Sequence, residues 1–129
     1  VEYEGGGEET RSNPWLAELQ QENFVEINTK DAESRGIKNN QFVWVTTPTK
    51  AKIKVKALVT ERVASGTTFI PFHFSGWWQG KDLVDSYPAG AVTLTRGEAI
   101  NTSTTYGYDA VTNMQEGTKT SLCQVAKLA

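Results

Sequence analysis

Residues 50–60 alternate between two classes of side chain with a period of two, and this pattern constrains the fold more than any other part of the sequence. The apolar members are Ile53, Val55, Ala57 and Val59, and the lysines between them are Lys50, Lys52, Lys54 and Lys56. Successive side chains of a strand point to opposite faces, so the pattern predicts a strand with one buried and one lysine-bearing face. The lysine face has two interpretations, a phosphate-binding strip or a solvated outer surface, and the acidic pI of about 5.4 favours the second.

Further strands are predicted at residues 24–27, 41–47, 67–74 and 121–126. Pro71 cannot donate to a ladder, so the third of these belongs at an edge or a bulge. Residues 75–116 contain many Gly, Thr, Ser and Asn and are expected to be irregular. These elements are too few for a doubly wound sheet, and a small closed β-barrel is favoured because closure removes unpaired edges.

Two short helices are predicted. Asn13-Pro14 supplies a capping residue and a proline for the first turn, with Trp15, Leu16 and Leu19 as the expected apolar face. A second helix begins near Asn28 and ends at Gly36, the residue type best suited to a left-handed C-cap.

Composition excludes several classes of function. The chain has 129 residues and a net charge of -2, so neither nucleic acid nor a membrane surface is an expected partner. One cysteine and one histidine cannot form a disulfide or a Cys/His metal cluster, so no metal-binding residues are predicted. Cys123 is expected to be a small buried hydrophobe. The start at Val1, without methionine or a signal sequence, suggests a piece of a longer polypeptide.

Three local features could serve a function. The glycines at 5–7, followed by Thr10, Arg11 and Ser12, provide the amides, hydroxyls and guanidinium that cradle phosphate, although glycine-rich linkers share this composition. His73 lies between two phenylalanines and has either a structural or a functional role. Trp77, Trp78 and Tyr87 form either an interface with absent parts of a parent protein or a self-packed loop.

The sequence resembles the molybdopterin-dinucleotide-binding domain of the dimethyl sulfoxide reductase family over nearly its whole length. The matching segments are residues 24–28, 32–39, 42–45, 52–60, 69–74, 99–101, 118–119 and 123–125. Within that family, residues 9–12 and the C-terminal end look most like formate dehydrogenase large subunits.

The resemblance implies a mainly β fold, a six-stranded double-psi β-barrel with short helices. The strand ending in Thr-Gly-Arg that normally precedes this pattern is not in the sequence, which leaves open whether the barrel is complete. By the resemblance, residues 1–129 form one domain, which binds molybdopterin guanine dinucleotide within a larger subunit. The implied cofactor-binding residues are Thr10, Arg11, Ser12, His73, Asn101 and Lys119. Residues 1–13 and about 75–118 are expected to be mobile loops, because they hold few core hydrophobes.

For the parent enzyme the resemblance implies oxidation of formate to carbon dioxide, with molybdenum or tungsten and iron–sulfur clusters held outside this chain. The expected partners are the other domains of the same large subunit, together with an iron–sulfur electron-transfer subunit, in a periplasmic or cytoplasmic enzyme. The isolated domain is expected to be inactive. Relatives often have histidine where this chain has Tyr3 and Gly5 or Gly7, so contacts of that kind are not expected here. A nitrate or polysulfide reductase, and a stand-alone double-psi barrel that binds another partner, remain alternatives.

Overall fold

The computed structural model describes residues 11–91, 95–104, 107–113 and 120–128. The described residues contain the short helices α1 (Pro14–Leu19) and α2 (Thr29–Ser34), both where the sequence predicts them. The strands within the described ranges are β1 (Phe24–Ile27), β2 (Phe42–Thr46), β3 (Lys52–Val59), β4 (Thr68–Phe69), β5 (Gly76–Trp78), β6 (Lys81–Asp82), β7 (Gly97–Glu98) and β8 (Gln124–Lys127). Single 3₁₀ turns cover Val84–Ser86 and Ile100–Thr102.

Five of these strands form one sheet in the order β4-β1-β3-β2-β8, in which only the β1–β3 pair is parallel. The two edge strands come together where the hydroxyl of Thr68, on β4, lies 3.4 Å from the sulfur of Cys123, next to β8. The sheet is therefore curled, with its edges facing each other. The prediction of a mainly β, barrel-like domain with short helices is confirmed.

The core fills the inside of this curled sheet. The alternation in β3 places Ile53, Val55 and Ala57 inside, and β2 adds Val43 and Val45. The remaining buried members of the cluster are Val25, Ile27, Ala32, Ile37 and Val125. The apolar half of the period-two pattern thus has the buried face that the sequence predicts.

The second sheet corrects the expectation of an irregular segment at 75–116. Strands β6, β5 and β7 form a small sheet in which β5 pairs antiparallel with β6 and parallel with β7. It packs on the outer face of β3, and Lys54 there is half-buried, with its ammonium 4.8 Å from the ring centre of Phe42 and 5.7 Å from that of Trp77. The prediction that the lysines lie on a solvated face is therefore correct for Lys52 and wrong for Lys54.

Three further sequence predictions need correction. In α1, Trp15 is 81% and Leu19 is 73% exposed, because burial of Ala17 on the opposite side of the helix turns both outward. Cys123 is exposed, because the strand begins one residue later and only Val125 reaches the core. The strand expected at 67–74 ends at Phe69, before Pro71, although it is at an edge as predicted.

The cluster of Trp77, Trp78 and Tyr87 is only partly packed against the domain. Trp77 packs against Phe42, with ring centres 5.8 Å apart, whereas Trp78 remains 56% exposed. Mobility of residues 1–13 and 75–118 stays a prediction, and residues 1–10, 92–94, 105–106 and 114–118 lie outside the described part of the chain. Within that part, no helix has the length and apolar character needed to cross a membrane.

Candidate functional site

Two of the predicted site residues, far apart in sequence, line the same pocket. His73 and Asn101 face a cavity of about 340 Å³, which we call the His73/Asn101 pocket. Its full lining is Phe72, His73, Phe74, Ser75, Ala99, Ile100 and Asn101. The two segments that form it contribute an imidazole, a carboxamide and a hydroxyl, set among apolar side chains.

Pairing of β5 with β7 brings these two segments together. Gly76 pairs with Gly97, and the amide of Gly97 donates to the carbonyl of Ser75 at 3.0 Å. The segment with His73 leads into β5, and the segment with Asn101 follows β7 directly. The pocket is therefore a consequence of the small sheet, which the sequence reasoning did not predict.

His73 has a backbone conformation that few residues adopt. Its φ is +65°, in the left-handed region, and its side chain is exposed at the pocket, with its ring centre 6.4 Å from that of Phe72. A non-glycine residue in this region costs roughly 1–3 kcal/mol and persists only where its surroundings enforce it. Asn40, Lys50, Gln79 and Asn113 also have a positive φ, so the backbone conformation does not distinguish a functional from a structural role for His73.

Arg11 lies beside the same pocket. Its guanidinium carbon is 5.0 Å from the ring centre of Phe74, a lining residue, and the side chain is only 6% exposed. The guanidinium also donates to the carbonyls of Gln20 and Leu16, at the C-terminal end of α1, with the second bond at 3.4 Å. Part of its hydrogen-bonding capacity thus holds α1 against the domain.

The other predicted residues divide between exposed and undescribed positions. Ser12 is exposed next to Arg11, and Thr10 and Lys119 lie outside the described residues. Thr120, the residue after Lys119, lines a neighbouring cavity of about 150 Å³. The structure thus places His73 and Asn101 on one pocket and the Arg11 side chain against its lining residue Phe74, and cofactor contacts of Arg11, Thr10, Ser12 and Lys119 stay predictions.

Sequence reasoning missed that neighbouring cavity, which we call the hydroxyl-lined cavity. Its polar lining consists of Thr47, Thr68, Ser103, Thr104, Thr120 and Ser121. Phe72 and Ile100 line both cavities, so the two openings adjoin. The abundance of Ser and Thr in the second half of the chain was the only sequence signal, because the hydroxyls come from separate segments of the chain.

The carboxylate of Asp82, in the small sheet, is hydrogen-bonded to neighbouring residues. Asp82 accepts a hydrogen bond from Arg96 at 2.5 Å and one from the amide of Val84 at 3.0 Å, and these bonds lower the pKa of its carboxyl. Among the described residues, no three His, Cys, Asp or Glu side chains are grouped as ligands for a metal ion. The chemistry that the described pocket offers is therefore hydrogen bonding and ring stacking.

The chain belongs to the family described as "Molydopterin dinucleotide binding domain", which it matches over residues 2–121. It is 42% identical over 69 residues to the alpha subunit of F420-dependent formate dehydrogenase 1 of Methanococcus maripaludis, covering 54% of this chain and 10% of that protein. It is 38% identical over 63 residues to a tetrathionate reductase of Archaeoglobus fulgidus, covering 49% of this chain and 6% of that protein.

Among solved structures, the acetylene hydratase from Pelobacter acetylenicus matches with a TM-score of 0.59 and 18% identity, over 88% of this chain and 15% of that one. The chain spans 10% or less of the length of either sequence relative. The comparisons confirm the expected resemblance to molybdopterin-dinucleotide-binding domains. They also confirm the expected resemblance to formate dehydrogenase large subunits, which contain such a domain.

Proposed function

We propose that the His73/Asn101 pocket binds one ring system of a molybdopterin guanine dinucleotide. The observation that carries this proposal is the convergence of His73 and Asn101 on one cavity, because they are predicted cofactor contacts from separate parts of the chain. Arg11 borders the pocket through Phe74, and Thr10, Ser12 and Lys119 are proposed to contact the phosphate-bearing part of the ligand.

The side chains of the pocket fit such a ligand. A pterin or a guanine is a flat heterocycle whose edge alternates hydrogen-bond donors and acceptors. The carboxamide of Asn101 both donates and accepts, so it can pair with such an edge, and the hydroxyl of Ser75 does the same. Phe72 supplies an aromatic face for stacking. A volume of about 340 Å³ accommodates a ring system but not a complete dinucleotide, so other parts of the parent enzyme must cover the rest.

The parent enzyme is proposed to be a formate dehydrogenase that oxidises formate to carbon dioxide, and the similarity to the formate dehydrogenase of Methanococcus maripaludis supports this proposal. The cofactor supplies the molybdenum or tungsten and the redox chemistry when it is bound. Residues of this chain contribute binding and orientation only. The proposed partners are the other domains of the same large subunit, together with an iron–sulfur subunit.

We further propose that the domain is a six-stranded double-psi β-barrel in the parent enzyme. The curled five-stranded sheet with facing edges and the TM-score of 0.59 to acetylene hydratase support this topology. The sixth strand would then come from residues outside this sequence or outside the described part.

The similarity to a tetrathionate reductase favours one second candidate, a reductase that uses the same cofactor site for a different substrate. Formate-dependent and tetrathionate-dependent dye assays on the full-length enzyme distinguish the two. Dye reduction with formate supports the dehydrogenase, and oxidation of reduced dye by tetrathionate supports the reductase.

Cofactor retention in the full-length enzyme tests the binding site itself. We expect Asn101→Ala to lower pterin content, because loss of one to two hydrogen bonds weakens binding by about 1–3 kcal/mol. His73→Asn keeps a residue type that tolerates positive φ, so its effect reports on the imidazole and not on the backbone. Gln21→Ala is the matched control, since it removes an exposed amide that does not line the pocket. Equal pterin content in the Asn101 and Gln21 variants would contradict the proposal.

A further inference from the structure

The side chain of Glu98 is fully buried. In the described part of the chain, every hydrogen bond that its carboxylate accepts comes from a backbone amide. Its exposure is 0%. Oε1 accepts from the amides of Lys54, at 3.2 Å, and Gly80, and Oε2 accepts from the amide of Gln79 at 2.9 Å. Burial of an isolated carboxylate is costly, and three N–H donors are what offsets that cost here.

These three amides belong to two other parts of the fold. Lys54 is in β3 of the large sheet, whereas Gln79 and Gly80 form the turn between β5 and β6. Glu98 is the last residue of β7. Its side chain therefore connects the large sheet, the turn and β7 at a single point.

The backbone of Glu98 is fixed as well. Its carbonyl accepts from the side-chain amide of Asn23, which is 2% exposed, at 3.1 Å. The backbone of Asn23 is also held in place, because its amide donates to the carbonyl of Arg96 at 3.0 Å. Both the side chain and the main-chain carbonyl of Glu98 are thus held by hydrogen bonds.

The next three residues, Ala99, Ile100 and Asn101, all line the His73/Asn101 pocket. Asn101 lies in the 3₁₀ turn Ile100–Thr102, which is closed by the amides of Thr102 and Ser103 donating at 3.0 and 2.9 Å. No residue separates the fixed position of Glu98 from this pocket segment. A shift of Glu98 would therefore move the segment that carries Asn101.

We propose that Glu98 is a positioning residue for the cofactor site: its carboxylate, held by three backbone amides, fixes the turn that presents Asn101 to the pocket. This inference rests on the proposed function, because it takes from that proposal that the pocket binds the cofactor. Glu98 itself does not line the pocket and acts through Asn101. A glutamine cannot replace it, because its one carbonyl oxygen leaves an NH₂ group facing a backbone N–H donor.

The test compares Glu98→Gln with Glu26→Gln in the full-length enzyme. Glu26 is a matched control: it is also buried, at 4% exposure, but its carboxylate pairs with Arg62 at 3.3 Å and does not line the pocket. Both substitutions are expected to lower the unfolding temperature. Only Glu98→Gln is expected to weaken cofactor retention, by about tenfold, the equivalent of one hydrogen bond lost at Asn101.

Hydrogen exchange on the 129-residue chain adds a readout that does not depend on the cofactor. We expect faster exchange at the amides of Thr102 and Ser103 in Glu98→Gln and no change there in Glu26→Gln. If Glu98→Gln does not fold, Asn23→Asp replaces it, because this isosteric change removes the donor to the Glu98 carbonyl and keeps the acceptor for the amide of Phe24.

Asn101→Ala separates the two claims. If it lowers pterin content while Glu98→Gln retains the wild-type amount, the positioning role is wrong and the proposed function stands. If Asn101→Ala retains full pterin content, the proposed function fails and the inference fails with it. A loss of pterin in Glu26→Gln equal to that in Glu98→Gln would also overturn the positioning role.

Discussion

Substitution of Gly97 by alanine should destabilise the domain more than the same substitution at Gly66, another glycine with a positive φ. Gly97 has a φ of +147°, and a Cβ placed there would lie 2.6 Å from the Cβ of Asn23 and 3.2 Å from its backbone nitrogen. Neither atom belongs to the end of a flexible side chain, so the backbone of β7 must move. Strain at this φ contributes roughly 1–3 kcal/mol, and overpacking adds roughly 1–3 kcal/mol.

The matched control is Gly66→Ala. Gly66 has a φ of +81° and no atom within 4 Å of the added Cβ, so this change reports the conformational cost alone. We expect a loss of about 2–5 kcal/mol in the free energy of unfolding for Gly97→Ala and about 1–2 kcal/mol for Gly66→Ala, measured by urea denaturation of the whole chain. If Gly97→Ala costs no more than Gly66→Ala, the close approach of β7 to Asn23 is wrong.

Four further changes test the fold. Ile53→Ala removes a fully buried core side chain and should lower the free energy of unfolding by about 2–5 kcal/mol in urea denaturation. Asn28→Ala removes the cap that accepts from the amide of Lys30 at 3.0 Å and should cost about 1 kcal/mol, seen as a lower thermal midpoint. Trp15→Ser should change the free energy of unfolding by less than about 0.5 kcal/mol, because Trp15 is largely exposed, and a larger loss in the same assay would contradict its orientation. The pKa of Asp82 is lowered, so its contribution to stability is present above its ordinary pKa of about 3.9 and is lost as pH falls through the lowered value. Asp82→Asn should therefore reduce the acid-induced fall in thermal midpoint below about pH 4, and an unchanged fall would count against the Arg96 pair.

Local features could be predicted from the sequence because their causes lie within a few residues. The second helix ends as expected at Gly36, which has a φ of +60°. The amides of Gly36 and Ile37 donate to the carbonyls of Glu33 and Ala32 at 2.9 and 2.8 Å. This is the Schellman motif that a C-terminal glycine favours. The period-two pattern of β3 identified its buried face for the same reason.

Features that depend on distant residues could not be predicted in this way. The Glu98 carboxylate is bound by backbone amides, which nearly every residue has, so no pattern of residue types indicated these partners. The orientation of α1 was mispredicted because apolar residues were assumed to face inward, whereas Ala17 is the residue that the domain buries. The proximity of His73 and Asn101 follows from the pairing of β5 with β7, two strands too short to have a recognisable pattern. The local pattern singled out His73 without deciding its role, and the family resemblance alone indicated Asn101.

A cryo-electron microscopy structure of the full-length holoenzyme tests the central claim most directly. The account predicts a ring of the cofactor in the His73/Asn101 pocket, with a donor or acceptor on its edge about 3 Å from the carboxamide of Asn101. A cofactor that lies instead against the lysine face of β3, or anywhere beyond hydrogen-bonding reach of both Asn101 and His73, would contradict it.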